Sequence, residues 1–132
     1  MKLFKEIRQD TPPIKADKDQ LIQILLNILD NAVKFTPEGG TINVTASPGT
    51  EQDLLIRIAD TGVGIPKGEI PRLGERFYRA DKTRSRELGG TGLGLSIVKH
   101  LMKAHRGRMV IESSLGRGTT VSLHFPTIRE LP

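Results

Sequence analysis

The chain has 132 residues, which is enough for one domain with a hydrophobic core but not for two. Hydrophobic residues make up 36% and charged residues 27%, and no apolar run approaches the roughly 20 residues that a membrane-spanning helix needs. The lack of cysteine excludes disulfides and thiolate zinc sites, and the net charge of +5, spread along a chain with 4% aromatic residues, does not predict nucleic-acid binding.

The first predicted elements are a short edge strand and a long helix. The segment "PPIKAD" at 12–17 predicts an edge strand, because sheets tolerate proline mainly at their edges. Asp17 is predicted to cap a helix at 18–35, with Gln20 completing a capping-box pattern. Apolar residues with helical spacing predict one broad buried face, formed by Leu21, Ile22, Ile24, Leu25, Ile28, Leu29, Ala32 and Val33. The segment "TPEGG" ends the helix.

The rest of the chain alternates strands, turns and helices. In chain order, we predict strands at 41–47 and 53–60, a short helix at 65–76, a mobile loop at 79–91, a helix at 92–105, and strands at 108–114 and 119–125. This order predicts an α+β fold. Specifically, we expect a two-layer α/β sandwich with a mixed, mostly antiparallel sheet and helices packed on one face.

One side of the first long helix is polar with regular spacing, and its residues are Gln20, Gln23, Asn27, Asp30, Asn31 and Lys34. Asn27 and Asn31 lie one turn apart, and Lys34 is one turn further on. Asparagine is a poor helix former, so an ordinary solvated face would more readily carry Glu, Lys or Gln. Two stacked carboxamide oxygens suit Mg²⁺ when phosphates supply other ligands, and a lysine beside them can meet a phosphate oxygen. The pattern favours a binding site over a solvated face.

A second candidate is "DTGVGIP" at 60–66, where Asp60 ends an apolar strand and two glycines follow. By itself this stretch is more typical of a glycine-rich turn with a surface carboxylate. Beside a nucleotide, however, Asp60 can accept a hydrogen bond from an adenine amino group, while Gly62 and Gly64 leave room for the ring.

The glycine-rich stretch "GGTGLGLSIVKH" at 89–100 precedes a helix, as phosphate-binding loops do. Gly89 and Gly94 have P-loop spacing, but Leu95 stands where the phosphate-binding lysine belongs. The third glycine of a dinucleotide-binding pattern also comes one place early. A cation for a phosphate must therefore come from elsewhere, and Arg79 and Arg84 in the preceding loop are candidates.

Together, "NILDNAVKFTPEGG", "DTGVGIP", "ERFYRAD" and "GGTGLGLSIVKHLMKAHRG" resemble the N, G1, F and G2 boxes of the ATP-binding catalytic domain of bacterial sensor histidine kinases. The order and spacing match over about 14–126, and the wording is most similar to the phosphate-regulon type. The resemblance implies the Bergerat (GHKL) nucleotide-binding fold, with a mobile ATP lid at about 79–91, in a single catalytic domain covering 1–132.

The resemblance also implies roles for individual residues. Mg²⁺ would be held by Asn31 with Asn27, and Lys34 would contact phosphate. The residues expected to contact or support the base and ribose are Phe35, Asp60, Gly62, Gly64, Ile65, Tyr78 and Thr119, the last through water. The residues expected to face the phosphates are Arg79 and Arg84 on the lid and Gly90, Thr91, Gly92, Leu93 and Gly94 at the start of the second long helix. The expected catalytic residues are Asn31, Lys34, Arg79 and Arg84.

Two features depart from the family pattern. Gly74 replaces a phenylalanine that often opens the F box, which is expected to loosen the lid anchor, although Phe77 and Tyr78 remain. The phosphoacceptor histidine motif is absent, and we expect His100, His105 and His124 to be structural or surface residues. Because Met1 and Lys2 are followed directly by a strand-like segment, we expect the chain to be an excised fragment and not a freestanding module that acts in trans.

The resemblance implies that the domain binds ATP or ADP with Mg²⁺ and transfers the γ-phosphoryl group to a histidine on a separate dimerisation domain. It further implies a cytoplasmic domain of an inner-membrane sensor kinase, homodimeric at full length and monomeric in isolation, that serves a response regulator. Two alternatives stay open: a related GHKL-fold ATPase or anti-sigma serine kinase, and a non-catalytic module that senses nucleotide. The hydrolytic ATPases use a helix glutamate to activate water, whereas Asp30 precedes Asn31 here.

Overall fold

The computed structural model describes residues 1–50, 53–65 and 94–127. In these ranges the elements are β1 (Lys2–Ile7), α1 (Lys18–Phe35), β2 (Thr41–Pro48), β3 (Leu54–Asp60), α2 (Gly94–Ala104), β4 (Arg108–Ser114) and β5 (Gly118–Phe125). The strands form one sheet in the order β1-β2-β3-β5-β4. β1 is parallel to β2 and every other pair of neighbours is antiparallel, which confirms the predicted mixed, mostly antiparallel sheet.

The hydrophobic core lies between one face of this sheet and the two helices. Ile24 of α1, Val98 of α2 and Leu123 of β5 are 0% exposed and belong to one continuous cluster. Along β3, Ile56 and Ile58 also enter this cluster, because alternate residues of a strand point to the same face. The expected two-layer sandwich is therefore confirmed, with α1 and α2 on the same side of the sheet.

The start of α1 is fixed by its cap and by α2. The side-chain oxygen Oδ1 of Asp17 accepts the N–H of Gln20 at 2.9 Å, as predicted for an N-cap. The reciprocal bond of a capping box is not made, because the N–H of Asp17 donates to Nε2 of His105 at 3.2 Å. The Nδ1 of His105 lies 2.8 Å from the carbonyl oxygen of Leu101, so Nδ1 carries the proton. His105 is thus the structural residue that was expected, and it joins the end of α2 to the start of α1.

The end of α2 is a Schellman motif built on a residue other than glycine. Arg106 adopts a left-handed conformation with φ of 58°, and its N–H donates to the carbonyl oxygen of Lys103 at 3.0 Å. The N–H of Gly107 donates to the carbonyl oxygen of Met102 at 2.9 Å, which closes the helix.

The edge strand was predicted at the wrong place. Residues 12–17 form no strand, and the edge position is taken by β1, whose pairing with β2 begins with Lys2 opposite Thr41. The chain leaves the sheet after Ile7, and the N–H of Arg8 makes its bond to the carbonyl oxygen of Ala46 at 2.9 Å. Pro12 and Pro13 lack N–H groups, so the segment that contains them has fewer donors for a ladder.

The buried face of α1 is narrower than predicted. Ile22 and Val33 are 44% and 51% exposed, whereas Ile24, Ile28 and Ala32 are buried. A helix that packs against a sheet and one neighbouring helix covers only part of its circumference, so apolar residues on its outer side stay in contact with water.

The end of the sheet opposite Asp60 holds a polar pair formed by a buried aspartate and a partly buried histidine. Nδ1 of His124 in β5 lies 2.9 Å from Oδ2 of Asp53, which precedes β3. Asp53 is 6% exposed, and its other oxygen, Oδ1, is buried and has no hydrogen-bond partner among residues 1–50, 53–65 and 94–127. His124 is therefore also structural, as expected.

The predicted helix at 65–76 and the predicted mobile loop at 79–91 lie outside the described residues, apart from Ile65. Within the described ranges, no helix is long and apolar enough to cross a membrane.

Candidate functional site

Three polar residues lie side by side on the core-facing side of the sheet, at one end of strands β3, β5 and β4. Asp60 is the last residue of β3, and its partner across β5 is Thr119. Thr119 is in turn opposite Ser113 of β4. On its other side Asp60 pairs with Ile42, a core residue, so this row continues the core face of the sheet. We call Asp60, Thr119 and Ser113 the polar row.

Asp60 is a half-buried carboxylate whose position is fixed by the backbone. Its Oδ1 atom accepts the N–H of Gly62 at 2.8 Å and the N–H of Thr119 at 3.1 Å. Burial raises the pKa of Asp60 above its ordinary value of 3.8, and these two hydrogen bonds oppose the rise. Because both bonds go to Oδ1, the orientation of the carboxylate is set before any ligand arrives.

The glycine-rich turn after Asp60 packs against the protein's own backbone. A Cβ atom on Gly62 would meet the carbonyl oxygen of Phe35, at the end of α1. Gly64 has φ of 78°, and a Cβ there would meet the carbonyl oxygen of Ser114. The space that glycine was predicted to leave for a ring is thus, in the Cβ directions, occupied by protein backbone. Glycine is needed at both positions because two backbone segments come close together.

The turn also links the end of α1 to the polar row. The N–H of Val63 donates to the carbonyl oxygen of Phe35 at 3.1 Å, directly after the last turn of α1. The N–H of Ile65 donates to Oγ of Ser113 at 2.8 Å. The structure therefore brings together Phe35, Asp60 and Thr119, which were expected near the base, through the turn that contains Gly62 and Ile65.

Ser113 is a residue of this site that the sequence did not single out. Its Oγ atom, besides accepting from Ile65, lies 2.9 Å from the carbonyl oxygen of Gly118 and 2.8 Å from Oγ1 of Thr119. The only available signal was the alternation of β4 and β5, which places Ser113 and Thr119 on the same side of the sheet.

The polar stripe of α1 leads towards the same turn. Lys34, in the last turn of the helix, forms an ion pair of 2.9 Å with Asp30 across one turn. Asn27 and Asn31 are both partly buried, and among the described residues the buried amide nitrogen Nδ2 of Asn27 has no hydrogen-bond partner. The two carboxamides and the ammonium group thus lie along a single helix that ends beside Asp60.

The donor set on α1 fits Mg²⁺. Within residues 1–50, 53–65 and 94–127, no three His, Asp or Glu side chains gather as a metal site. In the part of the chain that the structure describes, the Nδ2 atom of Asn27 has no hydrogen-bond partner that would fix the orientation of the carboxamide. Mg²⁺ takes few protein oxygens where phosphates and water complete its shell, and neutral oxygens one turn apart meet that need.

Of the remaining expected site residues, Gly94 is within the described part of the chain and the others are not. Gly94 is the first residue of α2, and a Cβ on it would meet no atom within 4 Å. Tyr78, Arg79, Arg84 and the run Gly90, Thr91, Gly92 and Leu93 lie outside the described residues, as do Gly74 and Phe77, so their roles stay predictions.

Comparisons with known proteins show the family to which the chain belongs. A family described as histidine kinase-, DNA gyrase B- and HSP90-like ATPases matches residues 16–129. The chain belongs to this family. Among solved structures, a mycobacterial sensor histidine kinase, MprB, superposes with a TM-score of 0.81 at 31% sequence identity, over 95% of this chain and 83% of that one.

Sensor kinases are among the curated relatives of this histidine kinase-like ATPase domain. The chain is 44% identical to the sensor histidine kinase WalK of Bacillus subtilis over 114 residues, which is 86% of this chain and 19% of WalK. It is 43% identical to the phosphate regulon sensor protein PhoR of Pseudomonas aeruginosa over 112 residues, which is 85% of this chain and 25% of PhoR. The similarity therefore identifies a sensor-kinase ATPase domain, and the phosphate-regulon type is only one of several that match.

Proposed function

We propose that this ATPase domain is the catalytic domain of a sensor histidine kinase and transfers the γ-phosphoryl group of ATP to a histidine on a separate dimerisation domain. The observation that carries the proposal is Asp60, a half-buried carboxylate held by two backbone N–H groups beside the end of α1. Membership of the ATPase family supports ATP as the ligand.

In this proposal the polar row recognises the base. The carboxylate of Asp60 accepts a hydrogen bond from the adenine amino group, and Thr119 supports it through water. Phe35, Gly62, Gly64 and Ile65 line the pocket, since the turn that contains the glycines joins the end of α1 to β4. Burial of Asp60 strengthens its hydrogen bond to a ligand, because the local dielectric constant is lower than that of water.

The polar stripe of α1 binds the phosphates in this proposal. Carboxamide oxygens of Asn31 and Asn27 would hold Mg²⁺, which when bound neutralises phosphate charge. Lys34 brings a positive charge one turn beyond Asn31 and exchanges its partner Asp30 for a phosphate oxygen. The N–H groups at the start of α2, from Gly94 back into the preceding glycine run, add the positive end of a helix dipole.

The remaining parts of the mechanism are assigned to other segments. Tyr78 together with Arg79 and Arg84 would close over the nucleotide, and the two arginines would stabilise charge on the transferred group. The proton of the acceptor histidine would pass to an acidic neighbour in the dimerisation domain. The isolated chain should accordingly bind ATP as a monomer and hardly hydrolyse it. In the whole protein we propose a homodimeric, membrane-anchored kinase, with this domain in the cytoplasm, that serves a response regulator.

Calorimetric titration with the non-hydrolysable analogue AMPPNP tests the site. Asn31→Ala should weaken Mg²⁺-dependent binding by about tenfold or more, because one metal ligand is lost. Asn43→Ala is the matched control, since Asn43 is an exposed residue of β2 whose carboxamide lies outside the polar stripe. Undiminished affinity in Asn31→Ala would overturn the metal assignment.

A phosphate-release assay distinguishes the kinase from a hydrolytic ATPase. The chain should release phosphate from ATP at close to the uncatalysed rate, since the residue before Asn31 is Asp30, an exposed carboxylate that is shorter than the helix glutamate of the hydrolytic ATPases. Sustained hydrolysis would instead support an ATPase of the gyrase or chaperone type. Absence of any thermal stabilisation by ATP or ADP would contradict nucleotide binding altogether.

A further inference from the structure

The hydrogen bonds around Ser113 fix the direction of a proton next to the base site. The Oγ atom of Ser113 has one proton to donate and two lone pairs that accept. A carbonyl oxygen only accepts, so the contact of 2.9 Å to Gly118 takes the proton of Ser113. A backbone N–H only donates, so the contact of 2.8 Å from Ile65 takes one lone pair.

The third contact of Ser113 is thereby determined. Its Oγ lies 2.8 Å from Oγ1 of Thr119, and by geometry alone either hydroxyl could be the donor. Because the single proton of Ser113 already goes to Gly118, Thr119 must donate to Ser113. The hydroxyl of Thr119 then has only lone pairs left for any other partner. Its backbone N–H is engaged as well, since it donates to Oδ1 of Asp60 at 3.1 Å.

Asp60 and Thr119 consequently present the same hydrogen-bonding character. An ionised carboxylate has no proton to donate, and both bonds that Asp60 receives end on Oδ1. Thr119 offers acceptor lone pairs beside it. A ligand edge that fits this surface must bring donors, as the amino group at position 6 of adenine does. A keto oxygen at that position would face acceptors, and a buried acceptor without a donor is costly.

We propose that Ser113 is a specificity-determining positioning residue, which selects 6-amino purines over 6-oxo purines by holding the Thr119 hydroxyl as an acceptor. This inference rests on the proposed binding of a purine nucleotide at Asp60. Ser113 itself acts through Thr119, and in its absence the Thr119 hydroxyl rotates and donates to a 6-oxo group directly or through water.

The test compares ATP with inosine triphosphate, which carries a keto oxygen at position 6. Dissociation constants for both are measured calorimetrically with Mg²⁺ on the wild-type chain and on Ser113→Ala. The wild type should bind ATP more tightly. In Ser113→Ala the dissociation constant of inosine triphosphate divided by that of ATP should fall by about fivefold, as expected for one hydrogen bond gained by the 6-oxo purine.

Two further variants separate positioning from loss of structure. A purely structural role for Ser113 would weaken both nucleotides alike and leave the ratio unchanged. Thr119→Val removes the hydroxyl, so adding Ser113→Ala to it should change the ratio no further. Ser122→Ala makes the same substitution at a buried residue of β5, outside the polar row, and should leave the ratio at its wild-type value.

The outcomes are distinct. Equal binding of the two nucleotides by the wild type, or an unchanged ratio in a folded Ser113→Ala, would overturn the inference while leaving ATP binding intact. Binding of neither nucleotide by the wild type would refute the proposed function itself. If Ser113→Ala does not fold, Thr119→Val tests the inference instead. Loss of the Thr119 acceptor should also reduce the ratio of the two dissociation constants, and an unchanged ratio would overturn the inference.

Discussion

Replacing Asp60 with asparagine or alanine should separate the two contributions of its side chain. Asparagine keeps an oxygen that can accept the N–H groups of Gly62 and Thr119, now 2.8 and 3.1 Å from Oδ1, but removes the charge. Alanine removes the charge and the acceptor together. We expect both variants to lose nucleotide affinity, whereas only alanine should lose much stability.

The sign of the charge effect follows from the pKa. Burial raises the pKa of Asp60 above 3.8, so the folded state binds this proton more tightly than the unfolded state. The stability linked to this proton is fully present below pH 3.8 and is lost as the pH rises through the pKa of the folded state. At pH 7 the buried charge therefore costs stability, and Asp60→Asn should be at least as stable as the wild type. That advantage should disappear as the pH falls towards 3.8.

The cost of Asp60→Ala can be worked from its two lost bonds. Leaving a half-buried N–H without a partner costs about 1 to 1.5 kcal/mol, so two cost about 2 to 3 kcal/mol. For a chain of this size the melting temperature should fall by roughly 10 °C. In either variant, loss of a bond between a charged group and the ligand should weaken AMPPNP binding by about tenfold or more.

The assay is urea unfolding at pH 7 and pH 4, combined with AMPPNP titration at pH 7. If Asp60→Asn is destabilised at pH 7 as much as Asp60→Ala, the charge and not the oxygen holds the turn. That result would refute the reasoning. Wild-type affinity in both variants would refute the role of Asp60 in recognising the base.

Three further predictions concern stability and are checked by chemical denaturation. Gly64→Ala should destabilise by on the order of 3 kcal/mol, because φ is 78° and the new Cβ would meet the carbonyl oxygen of Ser114; wild-type stability would contradict this. Arg106→Gly should stabilise by up to about 1 kcal/mol, since glycine tolerates φ of 58°, and any loss would count against a strained cap. His124→Leu should lower the free energy of unfolding by about 3 kcal/mol, because the buried carboxylate of Asp53 loses its partner. Adding Asp53→Asn should recover part of the loss.

Where local chemistry decides the structure, the sequence was informative. The bounds of α1 were predicted as observed, because Asp17 caps its start and "TPEGG" cannot continue it. Strands β2 to β5 were predicted within one residue at each end, because apolar residues alternate along them. The stripe with Asn27, Asn31 and Lys34 followed from helical periodicity alone, whereas its Mg²⁺ role is still a prediction.

Where contacts distant in sequence decide the structure, the sequence was less informative. β1 was not predicted because all six of its residues are exposed, so they show no alternation of buried and exposed positions. It forms because β2 offers a free edge, and its first N–H, on Lys2, donates to the carbonyl oxygen of Gly40 at 3.1 Å. The same limit applies to Ser113. Its importance depends on Gly118, Ile65 and Thr119 all reaching one oxygen atom, which only the register of β4 and β5 reveals.

The most direct test of the account is to map nucleotide binding onto the backbone by ¹H–¹⁵N NMR during titration with Mg²⁺-AMPPNP. The account predicts that the amide signals of Gly62 and Thr119, which donate to Asp60, shift most among the residues of the sheet and of the turn after β3. Those of Asp53 and His124, at the opposite end of the sheet, should hardly move. Shifts centred on Asp53 and His124, or no shifts at saturating nucleotide, would contradict the assignment of the polar row as the base-recognition site.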